Sequence, residues 1–316
     1  MRRVLRGSAL VIAWAILVCS VALLTVRQLG VTQITLVALV VGAPYLAVFA
    51  AVAAILFAVT HSRIGLVTAV TLVIILVGVQ VPRFIADTAT ATGQDITVLT
   101  VNVAHGDADA AAIVDEVRTS NADLLSVQEL TPAEVDDLTR AGIDDLLQYS
   151  FTAALPVSDG TGMWSRTPLT DGTRLSDFGF VPVQANTVID GVALTVVAFH
   201  AMSPATPRDT VQWAEDLDRM RALMESYPGT VLVAGDFNAT GDHRQFRDLA
   251  SAGFVDAAER AGSGLFRTFP SDRPLAQLDH VVTSDTVDAF EVHPVPIPDS
   301  DHLAVSARLR LPGRVN

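Results

Sequence analysis

Three long apolar segments without a charged residue occupy the first 83 of the 316 residues, at 8–26, 31–60 and 64–81. Each reaches the roughly 18–20 residues that a helix needs to cross a hydrocarbon core. The middle segment contains Gly42-Ala43-Pro44, and dividing it there would leave two pieces too short to span. We therefore predict one tilted or kinked helix for it, and a membrane anchor of three transmembrane helices over residues 1–83.

A cleaved signal peptide is the alternative interpretation of the first segment. Its apolar run exceeds the usual core of about 7–15 residues, and two further segments follow it, which favours a retained helix. Arginines at positions 2, 3 and 6 precede the first segment, and Arg63 lies between the second and third. Since cytoplasmic loops carry an excess of such charges, three spans would place residues 84–316 outside the cytoplasm.

The charges divide the chain at the same point. Residues 1–83 hold no Asp or Glu, whereas residues 84–316 hold all 34 acidic residues and 15 arginines, for a net charge near −19. The sequence contains no Lys. Tight non-specific binding of nucleic acid depends on Lys and Arg that neutralise phosphates, so this composition disfavours it.

Residues 87–94, DTATATGQ, are small and polar, so we predict a linker over 84–94; beyond it, strand-like and helix-like patterns alternate over residues 95–312. About 220 residues suffice for one domain with its own core. The predicted strands are 96–101, 123–128, 192–199, 230–235, 278–282 and 303–311, and the predicted helices are 107–120, 131–142, 207–227 and 243–253.

Polar residues follow these apolar strands at their ends. The stretch TVLVAGDFN places Asp236 and Asn238 two residues apart, and in extended chain such side chains point to the same side. Each polar residue alone has a structural explanation, such as a turn or a solvated loop, but their repetition predicts one ligand-binding rim. The others are Asn102, Glu129, His200, Asp279 and the pair Asp301-His302.

The types of these side chains complement one another chemically. Carboxylate and amide oxygens without Cys suit Mg²⁺ or Mn²⁺ rather than a closed zinc site. Histidines and an amide can donate to phosphate oxygens as charge develops, and a carboxylate can activate an attacking water. This set predicts metal-assisted hydrolysis of a phosphoester. A serine or cysteine hydrolase is disfavoured, because no G-x-S-x-G motif is present and the single Cys19 lies in the first apolar segment.

The order of the motifs TVNVAHG, LLSVQE, GTGMWSR, FHAMSP, GDFNAT, LDHVV and SDH resembles the endonuclease/exonuclease/phosphatase superfamily. The resemblance covers roughly residues 95–311. It implies a four-layer α-β-β-α sandwich of two mixed sheets, an α/β fold in which helices cover both outer faces.

The resemblance also implies a role for each residue. Glu129 would be the principal Mg²⁺ ligand, with Asn102 nearby and Asp301 a possible further ligand. Asp236 would activate the attacking water and Asn238 would hold it. His302, oriented by Asp279, and His200 would both donate to the scissile phosphate. Some members carry an acidic residue where this sequence has Ala104, and for Arg166, His105 and His280 we expect no catalytic role.

A lipid headgroup or a small phosphodiester is the expected substrate, because the domain is acidic and tethered. An extracytoplasmic nuclease is the alternative, and an inactive tethered binding module is the third reading. The sequence leaves open whether a monoester or a diester is cleaved, how many metal ions take part, and the oligomeric state.

Overall fold

The computed structural model describes residues 2–251 and 253–313, which divide into two compact units. The first unit contains the residues up to Pro82 together with Asp242–Arg244, and the second contains Arg83–Gly241 and the chain from Gln245 onward. The helices of the first unit are α1 (Arg2–Gln28), α2 (Ile34–Val40), α3 (Leu46–Val59) and α4 (Arg63–Gln80).

Two of these helices, α1 and α4, are long and apolar enough to cross a membrane. The middle apolar segment is broken, because α2 and α3 meet at a bend of 50°. The break contains a short 3₁₀ turn, Ala43–Tyr45, with Pro44 near its start, and proline lacks the N–H that a continuous helix needs. The unit therefore has two candidate spans, or three if the bent pair forms one span.

Small residues let these helices approach closely. Ala50, Ala53 and Phe57 on α3 are fully buried. A Cβ atom at Gly65 of α4 would lie 2.3 Å from the Phe57 ring, so the glycine makes room for this ring. Trp14 of α1 packs edge-on against the same ring, with the centroids 5.1 Å apart. Such small-residue packing is typical of helices that associate within a membrane.

The second unit is built on two six-stranded sheets, with strand orders β11-β12-β1-β2-β4-β3 and β5-β6-β7-β8-β10-β9. The strands are β1 (Asp95–Asn102), β2 (Leu124–Gln128), β3 (Tyr149–Ala153), β4 (Thr161–Ser165), β5 (Thr170–Arg174), β6 (Val183–Ile189), β7 (Val192–His200), β8 (Thr230–Asp236), β9 (Phe254–Asp256), β10 (Asp279–Ser284), β11 (Asp288–Pro296) and β12 (Leu303–Arg310). The helices are α5 (Ala110–Thr119), α6 (Pro132–Ala141), α7 (Ile143–Leu146), α8 (Pro207–Ser226), α9 (Arg244–Ser251) and α10 (Ala257–Arg260).

Both sheets are mixed, because β1–β2 and β7–β8 are parallel pairs and the other pairings are antiparallel. One apolar core fills the space between the sheets, with Val98, Val196 and Leu232 among its members. A second core packs α5 and α6 on the outer face of the first sheet, and α8 buries Trp213. The predicted four-layer sandwich is confirmed.

Each predicted strand and helix of this unit corresponds to an observed element, with ends that agree to within about three residues. The structure adds six strands, of which β5 and β11 show why they were missed. Strand β5 is exposed along its whole length and so has no apolar pattern. Strand β11 contains Pro294 and Pro296, which are tolerated because it lies at the edge of its sheet.

Gly235 permits the close approach of β7 and β8. A Cβ atom at this position would lie 1.8 Å from the carbonyl oxygen of Phe199. We predict that Gly235→Ala lowers the free energy of unfolding by about 3 kcal/mol, since the overpacked strands must separate. The measurement is thermal unfolding of the full chain in detergent micelles.

Gly142→Ala is the matched control, because Gly142 has φ +94° but its nearest contact would lie at 3.5 Å. It measures the cost of the left-handed backbone alone, about 1 kcal/mol. Equal losses in the two variants would contradict the steric explanation for Gly235.

Candidate active site

The two parallel strand pairs align the polar residues at their carboxyl ends. In the first sheet Asn102 lies opposite Gln128, the residue before Glu129. In the second sheet His200 lies opposite Asp236. Strand β10 runs antiparallel to β8 and starts opposite the same carboxylate, with Asp279 paired to Asp236. The sheets thus deliver carboxylates, an amide and a histidine to one rim.

Asn102 connects the two sheets at this rim. Its Nδ2 atom donates to Oε1 of Glu129 and to Oδ2 of Asp236, both at 3.2 Å, and its Oδ1 atom accepts from the backbone of Ala104 at 3.0 Å. The side chain is almost completely buried. One amide therefore holds two carboxylates apart and donates to both of them.

Asp236 lies at the centre of the cluster and is 1% exposed. Burial, reinforced by the negative charge of Asp279, raises the pKa of its carboxyl to about 7, against the opposing charge of His302. The backbone N–H of Asn238 donates to its Oδ1 atom at 2.8 Å. The Nε2 atoms of His200 and His302 each lie 3.7 Å from its Oδ2 atom. The carboxylate is poised to exchange a proton near neutral pH.

The expected proximity of Asp236 and Asn238 is observed, but its geometry differs from the predicted one. Strand β8 ends at Asp236, and Asn238 has a left-handed backbone with φ +48°. The two residues meet through a turn in which the side chain of one accepts from the backbone of the other. Strand alternation is therefore not the reason that they share a side.

His302 and Asp279 form a buried pair. The Nδ1 atom of His302 donates to Oδ2 of Asp279 at 2.8 Å, and the ring packs against Phe269 with the centroids 4.7 Å apart. Burial opposes the charged ring, yet the negative charges of Asp279 and Asp236 together raise the pKa of His302 to about 10. The imidazolium stabilises the fold fully below its ordinary pKa of 6.5, and this contribution is lost as the pH rises through about 10.

His200 has the opposite electrostatic character. It is stacked on Phe180, with the ring centroids 4.2 Å apart, and its Nε2 atom lies 3.4 Å from Nδ2 of Asn238. Burial, together with the positive charge of His302, lowers the pKa of His200 to about 3. Asp236 is therefore flanked by one neutral and one protonated histidine, a separation of pKa values that is characteristic of active sites.

Glu129 leaves its strand in a left-handed conformation, with φ +58°. Its Oε2 atom accepts a 2.8 Å hydrogen bond from the backbone of His105, and the Nδ1 atom of the same histidine lies 2.8 Å from that oxygen. The carboxylate is partly open, with 15% of the side chain exposed. A left-handed non-glycine residue costs of order 1–3 kcal/mol and is concentrated at functional sites.

Asp301 and Arg166 lie apart from this cluster. The Asp301 side chain is exposed and makes no hydrogen bond or ion pair within residues 2–251 and 253–313; its charge contributes only a small increase to the pKa of His302. Arg166 donates to Asp123, to Asn121 and to the carbonyl of Ala122. These residues precede β2, at the end of the strand opposite Glu129, so Arg166 has a structural role.

A model of the Endonuclease/Exonuclease/phosphatase family matches residues 99–302. The chain belongs to this family. Members are metal-dependent phosphoester hydrolases, and the chain is an enzyme of this class. No curated protein sequence matches it.

Several solved structures share the fold of this endonuclease/exonuclease/phosphatase domain. A D. rerio TDP2 in complex with a single-strand DNA product is 15% identical, with a TM-score of 0.57 over 69% of this chain and 99% of that one. A family protein from Beutenbergia cavernae is 19% identical, with a TM-score of 0.54 over 70% and 72% of the two chains. One from Leptotrichia buccalis is 12% identical, with a TM-score of 0.54 over 68% and 100%.

The donor set of this family domain fits a divalent metal ion. Ligand atoms of Asp236, Asp279 and His302 lie within 4.8 Å of one another, but the raised pKa of His302 favours an imidazolium, which has no lone pair to offer. Glu129, with its two carboxylate oxygens at the partly open side, suits a hard cation better. The buried Oδ1 atom of Asp279 has no hydrogen-bond partner among the described residues, so it can still accept from a water molecule.

Sequence reasoning missed three residues of the site. His105 contacts Glu129, and Phe180 and Phe269 each pack on a site histidine. The position of His105, three residues after Asn102, was the one available signal. The two phenylalanines lie in loops without periodicity, and nothing in the sequence marks them.

Asp279 controls the charge of His302, and we predict that Asp279→Asn lowers the pKa of this histidine well below 10. The reason is that the largest of the favourable charges on the ring is removed. Histidine side-chain NMR of the metal-free full chain in micelles, titrated with pH, measures the change. Asp301→Asn is the matched control and should move the pKa much less, since this exposed carboxylate makes a smaller contribution. Equal shifts in the two variants would refute the assignment of the buried pair.

Proposed function

We propose that the chain is a membrane-tethered, Mg²⁺-dependent phosphoesterase that hydrolyses its substrate by attack of an activated water. One observation carries this proposal: the buried carboxylate of Asp236 is flanked by a neutral and a charged histidine and is joined to Glu129 through Asn102. One hydrogen-bonded cluster thereby holds a general base, hydrogen-bond donors for the phosphate and a metal ligand.

Asp236 acts as the base in this mechanism. Its carboxylate takes a proton from water, the water oxygen bonds to phosphorus, and the ester oxygen departs with the electron pair of the broken P–O bond. Asn238, whose Nδ2 atom is held by the carbonyl of Ala201 at 3.0 Å, positions the water and the phosphate.

The two histidines stabilise the charge that develops on the phosphate oxygens. His302 contributes a positive charge and an Nε2–H donor, because Asp279 occupies its Nδ1 atom. His200 contributes a neutral donor in a dry, aromatic setting, where a fixed hydrogen bond is stronger than in water. Phe180 and Phe269 keep these rings in place.

Glu129 and Asn102 are the proposed Mg²⁺ ligands, with Asp301 at the rim as a further ligand. A bound ion would neutralise negative charge on the phosphate and on the leaving oxygen. Asp301 would have to turn toward the ion, for which its exposed position leaves freedom.

The proposed substrate is a lipid headgroup or a small phosphodiester. Apolar helices α1 and α4 support attachment to a membrane, and the arginines before the first span support a catalytic domain on the extracytoplasmic side. We propose an anchor of three spans over residues 1–83, a linker over 84–94 and the catalytic domain over 95–312. The net charge near −19 beyond residue 83 favours small or lipid phosphoesters over a polyanion.

An extracytoplasmic nuclease is the second candidate. It is favoured by the likeness of the fold to a TDP2 that holds a single-strand DNA product. It is opposed by the charge of the domain, since phosphate backbones are bound through Lys and Arg. An inactive binding module is the least favoured interpretation, because the chain has the general base, the hydrogen-bond donors for the phosphate and the metal ligand.

Removal of the base tests the reaction class directly. We expect the full chain in detergent to hydrolyse bis(p-nitrophenyl) phosphate with Mg²⁺ and to stop after EDTA treatment. Asp236→Asn should lower kcat by about 10³-fold because proton transfer from water is lost, and Glu129→Gln should weaken Mg²⁺ binding. Glu291→Gln, at an exposed carboxylate of β11, is the control and should keep full activity. Turnover that survives EDTA or Asp236→Asn would contradict the proposal.

Competition between two substrates separates the two candidate functions. We expect the full chain to release headgroups from phosphatidylcholine vesicles with a kcat/KM at least about tenfold above that for cleavage of a single-stranded oligonucleotide, because the acidic domain repels the longer polyanion. Headgroup release is followed by ³¹P NMR and strand cleavage by gel electrophoresis. Faster cleavage of the oligonucleotide would favour the nuclease.

A further inference from the structure

The loop that follows Asn102 is unusually strained for a surface turn. Ala104, His105 and Gly106 are three successive residues with left-handed backbone, at φ +47°, +62° and +82°. Only the third is a glycine, so two residues adopt a backbone conformation that is unfavourable for a residue with a side chain. A Cβ atom at Gly106 would lie 2.4 Å from Oγ1 of Thr131, and this threonine caps α6. The loop is thus pressed against a fixed helix end, in a conformation that its sequence does not favour.

This loop places one imidazole beside the carboxylate of Glu129. The Nδ1 atom of His105 lies 2.8 Å from Oε2 of Glu129, while 58% of the histidine side chain remains exposed. An exposed ring contributes little to packing, so core formation does not explain the position.

The imidazole is not needed to orient the carboxylate. Oε2 of Glu129 already accepts a 2.8 Å hydrogen bond from the backbone N–H of His105, and Oε1 accepts from Asn102. Both oxygens have donors that any side chain at position 105 would leave in place. The ring nitrogen is an addition to a carboxylate that is already held.

The distance between the two side chains suits two ligands of one ion. Metal–ligand bonds of about 2.1 Å at right angles place neighbouring donor atoms roughly 3 Å apart. The observed separation of Nδ1 and Oε2 is 2.8 Å.

We propose that His105 is a nitrogen ligand of the metal beside Glu129, and that it shifts the preference of the site from Mg²⁺ toward Mn²⁺. Imidazole is a better ligand for first-row transition metals than for Mg²⁺, which prefers oxygen. The inference rests on the proposed function, because it places the ligand at the metal site assigned there. It goes further in naming a ligand and an ion.

Pulsed EPR tests the ligand without any reference to activity. The metal-free full chain in detergent receives Mn²⁺ alone, and electron spin-echo modulation reports nitrogen bonded directly to the ion. We expect a ¹⁴N coupling that becomes a ¹⁵N coupling in protein labelled with ¹⁵N-histidine. The coupling should disappear in His105→Phe and in His105→Gln, and persist in His293→Phe, a control at an exposed histidine of β11.

Binding affinities give a second readout. By isothermal titration, His105→Gln should weaken Mn²⁺ binding by about tenfold and Mg²⁺ binding by less than about threefold, because Mn²⁺ gains more from an imidazole nitrogen than Mg²⁺ does. A histidine that acted only as a hydrogen-bond partner would weaken both ions alike and show no directly bound nitrogen.

The outcomes separate this inference from the proposed function. One outcome is that Mn²⁺ binds to the wild-type protein but not to Glu129→Ala, and that the wild-type complex shows no histidine nitrogen coupling. This outcome overturns the role of His105 and leaves the proposed phosphoesterase function standing. If no ion binds and no phosphoester is hydrolysed, the proposed function falls as well. Because the label marks all seven histidines, the assignment to His105 is made by His105→Gln should His105→Phe fail to fold, and a histidine coupling that persists in His105→Gln would overturn it.

Discussion

The site depends on the hydrogen bonds by which Asn102 holds Glu129 and Asp236 at 3.2 Å each. These two carboxylates come from different sheets, and without a donor between them their charges would repel across the gap. The backbone carbonyl oxygen of Asn102 accepts a hydrogen bond from the Ser300 hydroxyl at 2.7 Å, and this hydroxyl in turn accepts from the backbone N–H of His302 at 3.1 Å. One residue at the end of β1 therefore sets the positions of the base, the metal ligand and the charged histidine.

Position in the fold, rather than residue type, gives the two histidines their different properties. His302 is hydrogen-bonded to Asp279 and is attracted by Asp236, so it retains a proton despite burial. His200 is buried and stacked on Phe180, and both burial and the positive charge of His302 lower its pKa, so it stays neutral. The same side chain thus supplies a positive charge on one side of Asp236 and a neutral donor on the other.

The predictable part of the structure follows from strand burial. Parallel strands such as β1 and β8 are covered on both faces, so their apolar runs are long and their polar ends stand out in sequence. Strand β5 is fully exposed and gave no such signal. The contact of His105 was not predictable either, because it requires a left-handed alanine, and nothing in the sequence distinguishes that alanine from a helical one. Asn102, Glu129, Asp236, Asn238, His200, Asp279 and His302 were expected together and do lie together, whereas Asp301 lies at the exposed rim.

Backbone strain at the strand ends is the means by which a regular fold produces an irregular site. Gln128 is the last residue of β2 and points into the protein, where it accepts from Thr100 at 3.1 Å, so simple alternation would send the next side chain to the opposite face. The left-handed conformation of Glu129 redirects it toward Asn102. Asn238 takes the same conformation after β8, and there it brings its backbone N–H to Asp236. Since such residues persist only where the surroundings hold them, the rigid sheets behind the rim are what allow these two turns, and the strained loop at His105, to keep their functional groups in place.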